Sequence, residues 1–161
     1  MARRVTSKGK ETTLVLDGLR RLVKTLREGS RAAEQALGLS GAQLFVLQAL
    51  SKDSSLSLTE LAERTHTHQS SVSVVVAKLV ARKFVRRTRA EDDARRLVLR
   101  LTPRGAQVLE RAPDATQDRL IAALGQLPAK ERRALGQSLA KVAELMALPE
   151  SAPQMFFEDA R

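Results

Sequence analysis

The stretch THTHQSSVSVVVAKLVARKFVRR, residues 65–87, decides how the chain is read. Val72, Val75, Val76, Leu79 and Val80 recur at i, i+3, i+4, i+7 and i+8, the spacing of one stripe on an α-helix. The opposite side holds Gln69, Ser70, Ser73, Val74, Ala77 and Lys78, which are small or polar and include no carboxylate. Valine favours strands, and each of Val74, Val75 and Val76 costs roughly a few tenths of a kcal/mol in a helix. A strand here would set Ser71 and Ser73 on one face and only valines on the other. The stripe instead runs on through Leu79 with an unbroken polar face behind it, which predicts a helix. A helix showing such a face suits a groove lined with phosphates and base edges.

The charge lies around this helix. The chain has 161 residues and a formal net charge of +10, and residues 64–104 hold 11 basic and 3 acidic groups. Residues 1–63 carry 10 basic and 7 acidic groups, and residues 105–161 carry 7 and 8. An excess concentrated beside a polar helix points to a polyanion, because each phosphate neutralised releases condensed counterions. With no Trp or Tyr and only 4 Phe, the core must be aliphatic, which suits packed helices in a single domain. The absence of cysteine excludes disulfides and thiol sensing by this chain. No apolar run approaches the length of a membrane span, and Met-Ala-Arg-Arg is not followed by a signal-type apolar region, so a cytoplasmic protein is expected.

Outward from the central stretch, Ser57 and Glu60 form a capping-box pattern for a short helix that buries Leu58, Leu61 and Ala62. With a turn over residues 65–68, this gives a helix-turn-helix. After Lys83 the period changes to that of strands, residues 84–88 and 97–101, joined by an arginine-rich tip. Arginine at such a tip can enter a minor groove. Of Asp92 and Asp93, one is expected to orient a neighbouring arginine. Upstream, residues 13–37 read as a long helix with Leu16, Leu19, Leu22, Val23 and Leu26 as its stripe, a bend at Gly29-Ser30 and a stop at Gly38. Ser40 caps a second helix over residues 42–50. Downstream, Thr102 and Pro103 start a helix that Pro113 interrupts. Pro128 opens the last helix and Pro149 ends it. The segment with Phe156-Phe157 has no clear period and reads either as disorder or as a plug on a partner surface.

Residues 39–110 resemble the MarR family of bacterial transcription regulators. The resemblance is carried by Leu58-Thr59-Glu60-Leu61-Ala62, by Val72 and Leu79 with Phe84-Val85-x-Arg87, and above all by Asp93-x-Arg95 followed by Leu101-Thr102-x-x-Gly105. It implies a mainly α fold with a small β-wing, a winged helix-turn-helix plus N- and C-terminal dimerisation helices. Residues 1–10, with four basic groups, no acid and little to bury, read as a disordered basic tail; the resemblance implies a single MarR-like domain over 11–148, with a tail over 149–161. Within the domain, 40–102 is the DNA-binding lobe and 11–38 and 103–148 are dimerisation helices. The resemblance further implies a homodimer on double-stranded DNA, and a pocket for a small aromatic acid between the dimer helices and the lobe. The family has Gly where Lys83 stands, so Lys83 must take a left-handed or altered turn. It often has a basic residue where Val74 stands; Val74 would meet a thymine methyl instead.

The expected DNA-binding residues are therefore His68, Gln69, Ser70, Ser71, Ser73, Val74 and Lys78 on the helix, with Arg86, Arg87, Arg89, Arg95 and Arg96 on the wing. His66 and His68 are read as capping and phosphate contacts rather than metal ligands, since zinc needs more donors than these two. No cofactor, metal or catalytic residue is expected: no set of His, Ser and carboxylate stands out, nor a Gly-rich phosphate loop. Two other readings share the charge: an architectural DNA-binding protein without sequence preference, and a protein–protein adaptor that has lost DNA binding.

Overall fold

In the computed structural model the described residues are 2–53, 55–91 and 93–158, with side chains from residue 8 onward. The element order is α1 (Ala2–Leu37), α2 (Gly41–Ser51), α3 (Leu58–Arg64), α4 (Gln69–Ala81), β1 (Val85–Arg89), β2 (Leu97–Leu101), α5 (Pro103–Leu109), α6 (Thr116–Gln126) and α7 (Ala129–Leu145). Among the described residues no helix is long and apolar enough to cross a membrane.

The core forms where α2, α3 and α4 meet. Phe45, Leu47, Leu61, Val72, Val75, Val76 and Leu79 are all buried there, so the valine stripe is the inner face of a helix. Local hydrogen bonds set the helix starts. Ser40 accepts from the Gln43 N–H while the Gln43 side chain accepts from the Ser40 N–H, and Ser57 and Glu60 repeat the arrangement. Gln48 fixes the break at Pro113 from a distance: its amide donates to the Pro113 carbonyl at 2.9 Å and accepts from the Ala115 N–H at 2.9 Å.

Four expectations need correction. α1 begins at Ala2, so residues 2–10 are helical rather than a disordered tail. Once a helix is nucleated, each added residue gains a hydrogen bond at little further cost, and Lys and Arg are good helix formers. The helix also runs through Gly29 without a break, because that glycine serves packing: a Cβ there would collide with the Thr116 side chain of α6. Pro149 does not end α7. The chain leaves the helix at Ala147, which has φ 51°, and the Leu148 N–H bonds back to the Ala143 carbonyl at 3.1 Å. The strands lie at Val85–Arg89 and Leu97–Leu101, one residue later at the first strand than expected.

The two strands pair antiparallel, with Val85 opposite Leu101 and Arg89 opposite Leu97. Leu56, in the loop before α3, adds a bridge to Leu99 through bonds of 2.7 and 3.2 Å. The other end of the hairpin is fixed by Thr102, whose N–H donates to the Phe84 carbonyl at 3.0 Å and whose hydroxyl accepts from the Gly105 N–H at 3.0 Å. Gly105 itself lies against that same Phe84 carbonyl, and a Cβ would overlap it. Gly125 in α6 has nothing within 4 Å of its Cβ position. Gly105→Ala should therefore lower unfolding free energy by about 1–3 kcal/mol. Gly125→Ala should raise it by about 0.5–1 kcal/mol through helix propensity. Urea midpoints at constant m value measure both.

Candidate nucleic-acid interface

The turn between α3 and α4 is held by hydroxyls. Buried Thr65 donates to the Leu61 carbonyl at 2.8 Å and shares a 2.7 Å hydrogen bond with Thr67. His66 has φ 51° and supplies the turn's left-handed residue. His68 occupies the N-cap of α4, but its side chain makes no capping hydrogen bond, so the capping role expected of it is not observed. Among the described residues no cluster of three or more metal-binding side chains occurs.

With its valine stripe in the core, α4 turns Gln69, Ser70, Val74 and Ala77 outward, with Ser73 and Lys78 half-buried at the edges. No Asp or Glu occurs between Arg64 and Ala90, so this face and the first wing strand have no carboxylate of their own. Ser71 is different from the other expected contacts. It is 7% exposed, and its hydroxyl donates to the Pro153 carbonyl at 2.8 Å. It is therefore turned away from the reading face, because one residue along a helix rotates a side chain by about 100°.

The end of α4 sets the angle of the wing. Lys83 has φ 60°, the left-handed turn expected of it, and its N–H and that of Phe84 bond back to the Val80 and Leu79 carbonyls. Arg82, which the sequence gave no reason to single out, holds this corner. Its guanidinium donates to the Gly38 carbonyl at 2.7 Å and to the Gln43 amide oxygen at 3.3 Å, and lies 4.9 Å over the Phe84 ring. The partner carbonyl is 44 residues away in the chain, so no local pattern could have announced it.

On the wing, Arg86, Arg87, Arg89 and Arg95 are exposed. Asp93 orders the tip through the backbone: its carboxylate accepts from the Arg95 N–H at 2.9 Å, and its carbonyl from the Arg96 N–H at 3.0 Å. Asp93 thus holds the neighbouring Arg95 through its backbone N–H, while Asp92 lies outside the described residues. Arg96 reaches back to Glu60 of α3 at 3.3 Å, and Arg100 pairs with Glu91 at 2.9 Å. The first pair fastens the wing to the helix-turn-helix, although surface pairs of this kind contribute only about 0–1 kcal/mol.

These elements define a winged helix-turn-helix, with α4 in the position of the reading helix and the β1–β2 hairpin as the wing. The sequence model of the MarR family matches residues 37–96. The HTH-type transcriptional repressor MdtR of Bacillus subtilis (strain 168) is 38% identical over 68 residues, which are 42% of this chain and 44% of that protein. The chain spans about half the length of the curated relatives it matches. A MarR family transcriptional regulator from Streptomyces coelicolor, solved in complex with DNA, is 26% identical with a TM-score of 0.59, over 90% of this chain and 97% of that one. Bordetella bronchiseptica BpsR, solved in a study of how 6-hydroxynicotinic acid regulates its DNA binding, is 26% identical with a TM-score of 0.54, over 83% and 92%. Residues 37–96 of this chain are thus similar in sequence to the MarR family, and its fold is that of these solved regulators.

The left-handed Lys83 gives a test of the corner. Lys83→Gly removes the Cβ strain of that conformation and should raise unfolding free energy by about 0.5–1 kcal/mol, after allowance for the greater freedom of glycine in the unfolded chain. A urea midpoint that falls instead would show that the Lys83 side chain carries a stabilising contact.

Proposed function

We propose that this chain is a sequence-specific DNA-binding transcriptional regulator, a repressor that acts in the cytoplasm as a homodimer on a pseudo-palindromic operator. The observation that carries the reading is the placement of a carboxylate-free helix face beside a wing with five exposed arginines, of which Arg96 is paired with Glu60. Gln69, Ser70, Ser73, Val74 and Lys78 would meet base edges or the groove wall, with Val74 against a thymine methyl. Arg86, Arg87, Arg89 and Arg95 would meet phosphates or the minor groove, and His68 a phosphate at the start of α4. Arg96 is held by Glu60 and contributes more to the position of the wing than to contact.

Dimerisation is supported by the apolar side chains left uncovered at both ends of the chain. Leu14, Leu16, Leu19 and Leu22 of α1 and Leu135, Leu139, Val142 and Leu145 of α7 are exposed, and α7 buries none of its residues. Apolar surface of this extent is the mark of a protein interface. A twofold partner would set two reading helices about 34 Å apart, one turn of DNA. Selection of bound duplexes from a random pool should recover inverted half-sites at that spacing; asymmetric or featureless sequences would favour an architectural protein. Arg95→Ala should weaken binding about tenfold to the selected site and to random DNA alike, and make the salt dependence shallower by about 0.9 in log–log slope. Unchanged binding to both would remove Arg95 from the interface.

A cavity of about 320 Å³ supports a further part of the reading, release by a small aromatic acid. It lies between α6 and the α3–α4 turn, and its lining includes Phe45, His66, His68, Leu120, Ile121 and Met155. Apolar walls with two imidazoles suit a flat apolar body bearing an acid. Such a ligand shifts DNA affinity only by binding the two states of the dimer unequally. A panel of phenolic and heteroaromatic acids titrated into the operator complex should contain one that releases it. Release by none would make this a constitutive repressor.

A further inference from the structure

Beyond α7 the chain turns back and lies along the reading helix. Met155 is 3% exposed and packs in the same core cluster as Phe45, Val72 and Val75. The Pro153 carbonyl accepts from the Ser71 hydroxyl of α4, and the Phe156 carbonyl accepts from the Gln117 amide of α6 at 3.1 Å. The segment closes on itself through the Glu158 N–H and the Met155 carbonyl at 3.1 Å. This sets the Glu158 carboxylate 3.6 Å from the Lys78 ammonium, with the Glu158 side chain only 6% exposed. Residues 153–158 therefore run along one edge of α4 and engage, at its two ends, Ser71 and Lys78. The same segment forms a wall of the 320 Å³ cavity.

We propose that residues 153–158 are an autoinhibitory strap, in which Glu158 holds Lys78 away from DNA phosphate. The inference rests on the reading of α4 as the DNA-facing helix. A carboxylate this well buried is costly unless a cation stays beside it, so the pair resists separation. Lys78 binds DNA only by exchanging Glu158 for a phosphate, and the strap sets the cost of that exchange. Met155 anchors the segment in the core, so the carboxylate is presented at a fixed place rather than by a loose end.

The test is a double-mutant cycle on the full chain, read as affinity for the duplex selected from a random pool and as its salt dependence. Glu158→Gln keeps the shape and removes the charge. It should tighten binding about fivefold and steepen the log–log salt slope by about 0.9, the signature of one more phosphate contact. Lys78→Gln should weaken binding, and in that background Glu158→Gln should have no further effect. A urea midpoint for each variant establishes that the fold is intact, and Glu158→Ala serves if the glutamine variant unfolds. Unchanged affinity and slope for the Glu158 variants would overturn the strap, as would a gain that persists without Lys78. A parent chain that fails to bind any duplex at low salt would instead overturn the DNA-binding reading, whatever the variants do.

Discussion

Everything that this chain presents to a partner depends on the burial of Val72, Val75, Val76 and Leu79 against α2 and α3. All four are fully buried. Each such side chain contributes about 1.5–3 kcal/mol on transfer from water, so the stripe fixes the rotation of α4 about its own axis. A turn of one residue would expose part of the stripe and bury Val74 or Ser73 in its place. The outward face is thus a consequence of the inward one. The wing inherits the same reference frame, because Leu56 ties it to the start of α3, Lys83 and Arg82 set the corner after α4, and Thr102 with Gly105 closes its far end.

Once the frame is fixed, the positive charge divides into two populations. Arg82 is taken up by a backbone carbonyl and an aromatic ring, Arg100 by Glu91, Arg96 by Glu60 and Lys78 by Glu158. Arg86, Arg87, Arg89 and Arg95 remain exposed along the wing. The concentration of basic groups in residues 64–104 therefore overstates the number available to phosphate. Some of those groups build the surface that the others occupy. The pairs are also unequal in kind. Arg100 meets a largely exposed carboxylate and loses little if separated, whereas Lys78 meets a buried one, where separation leaves a charge without water.

The apolar surface divides in a similar way. α2 is almost wholly buried, while α7 buries nothing and the outer part of α1 leaves its leucines in solvent. A periodic stripe in sequence says only that a helix has something to cover it, in the same chain or in another. The stripes of α2 and α4 find their cover within the lobe. Those of α1 and α7 do not among the described residues, and that uncovered surface is what supports the proposal of a second copy.

The sequence by itself determined the helix starts at Ser40, Ser57 and Thr102, the valine stripe and the hairpin. Each depends on contacts within a few residues or on a simple period, so neighbours in the chain suffice to specify it. It also carried the family resemblance, in the Asp93-x-Arg95 and Leu101-Thr102-x-x-Gly105 motifs, because a tight hairpin end leaves few residues that fit. Only the tertiary structure decided that Ser71 turns inward, that Arg82 braces a corner, that Gly29 is a crossing point and that residues 153–158 lie on α4. Ser71 and Pro153 are 82 positions apart, and the hydrogen bond between them exists only because α6 and α7 carry the chain back to the lobe. A hydroxyl or a guanidinium has the same chemistry wherever it occurs. Whether it faces DNA or is already satisfied is settled by what the fold places within 3 Å or so of it, and that partner is not written nearby in the chain.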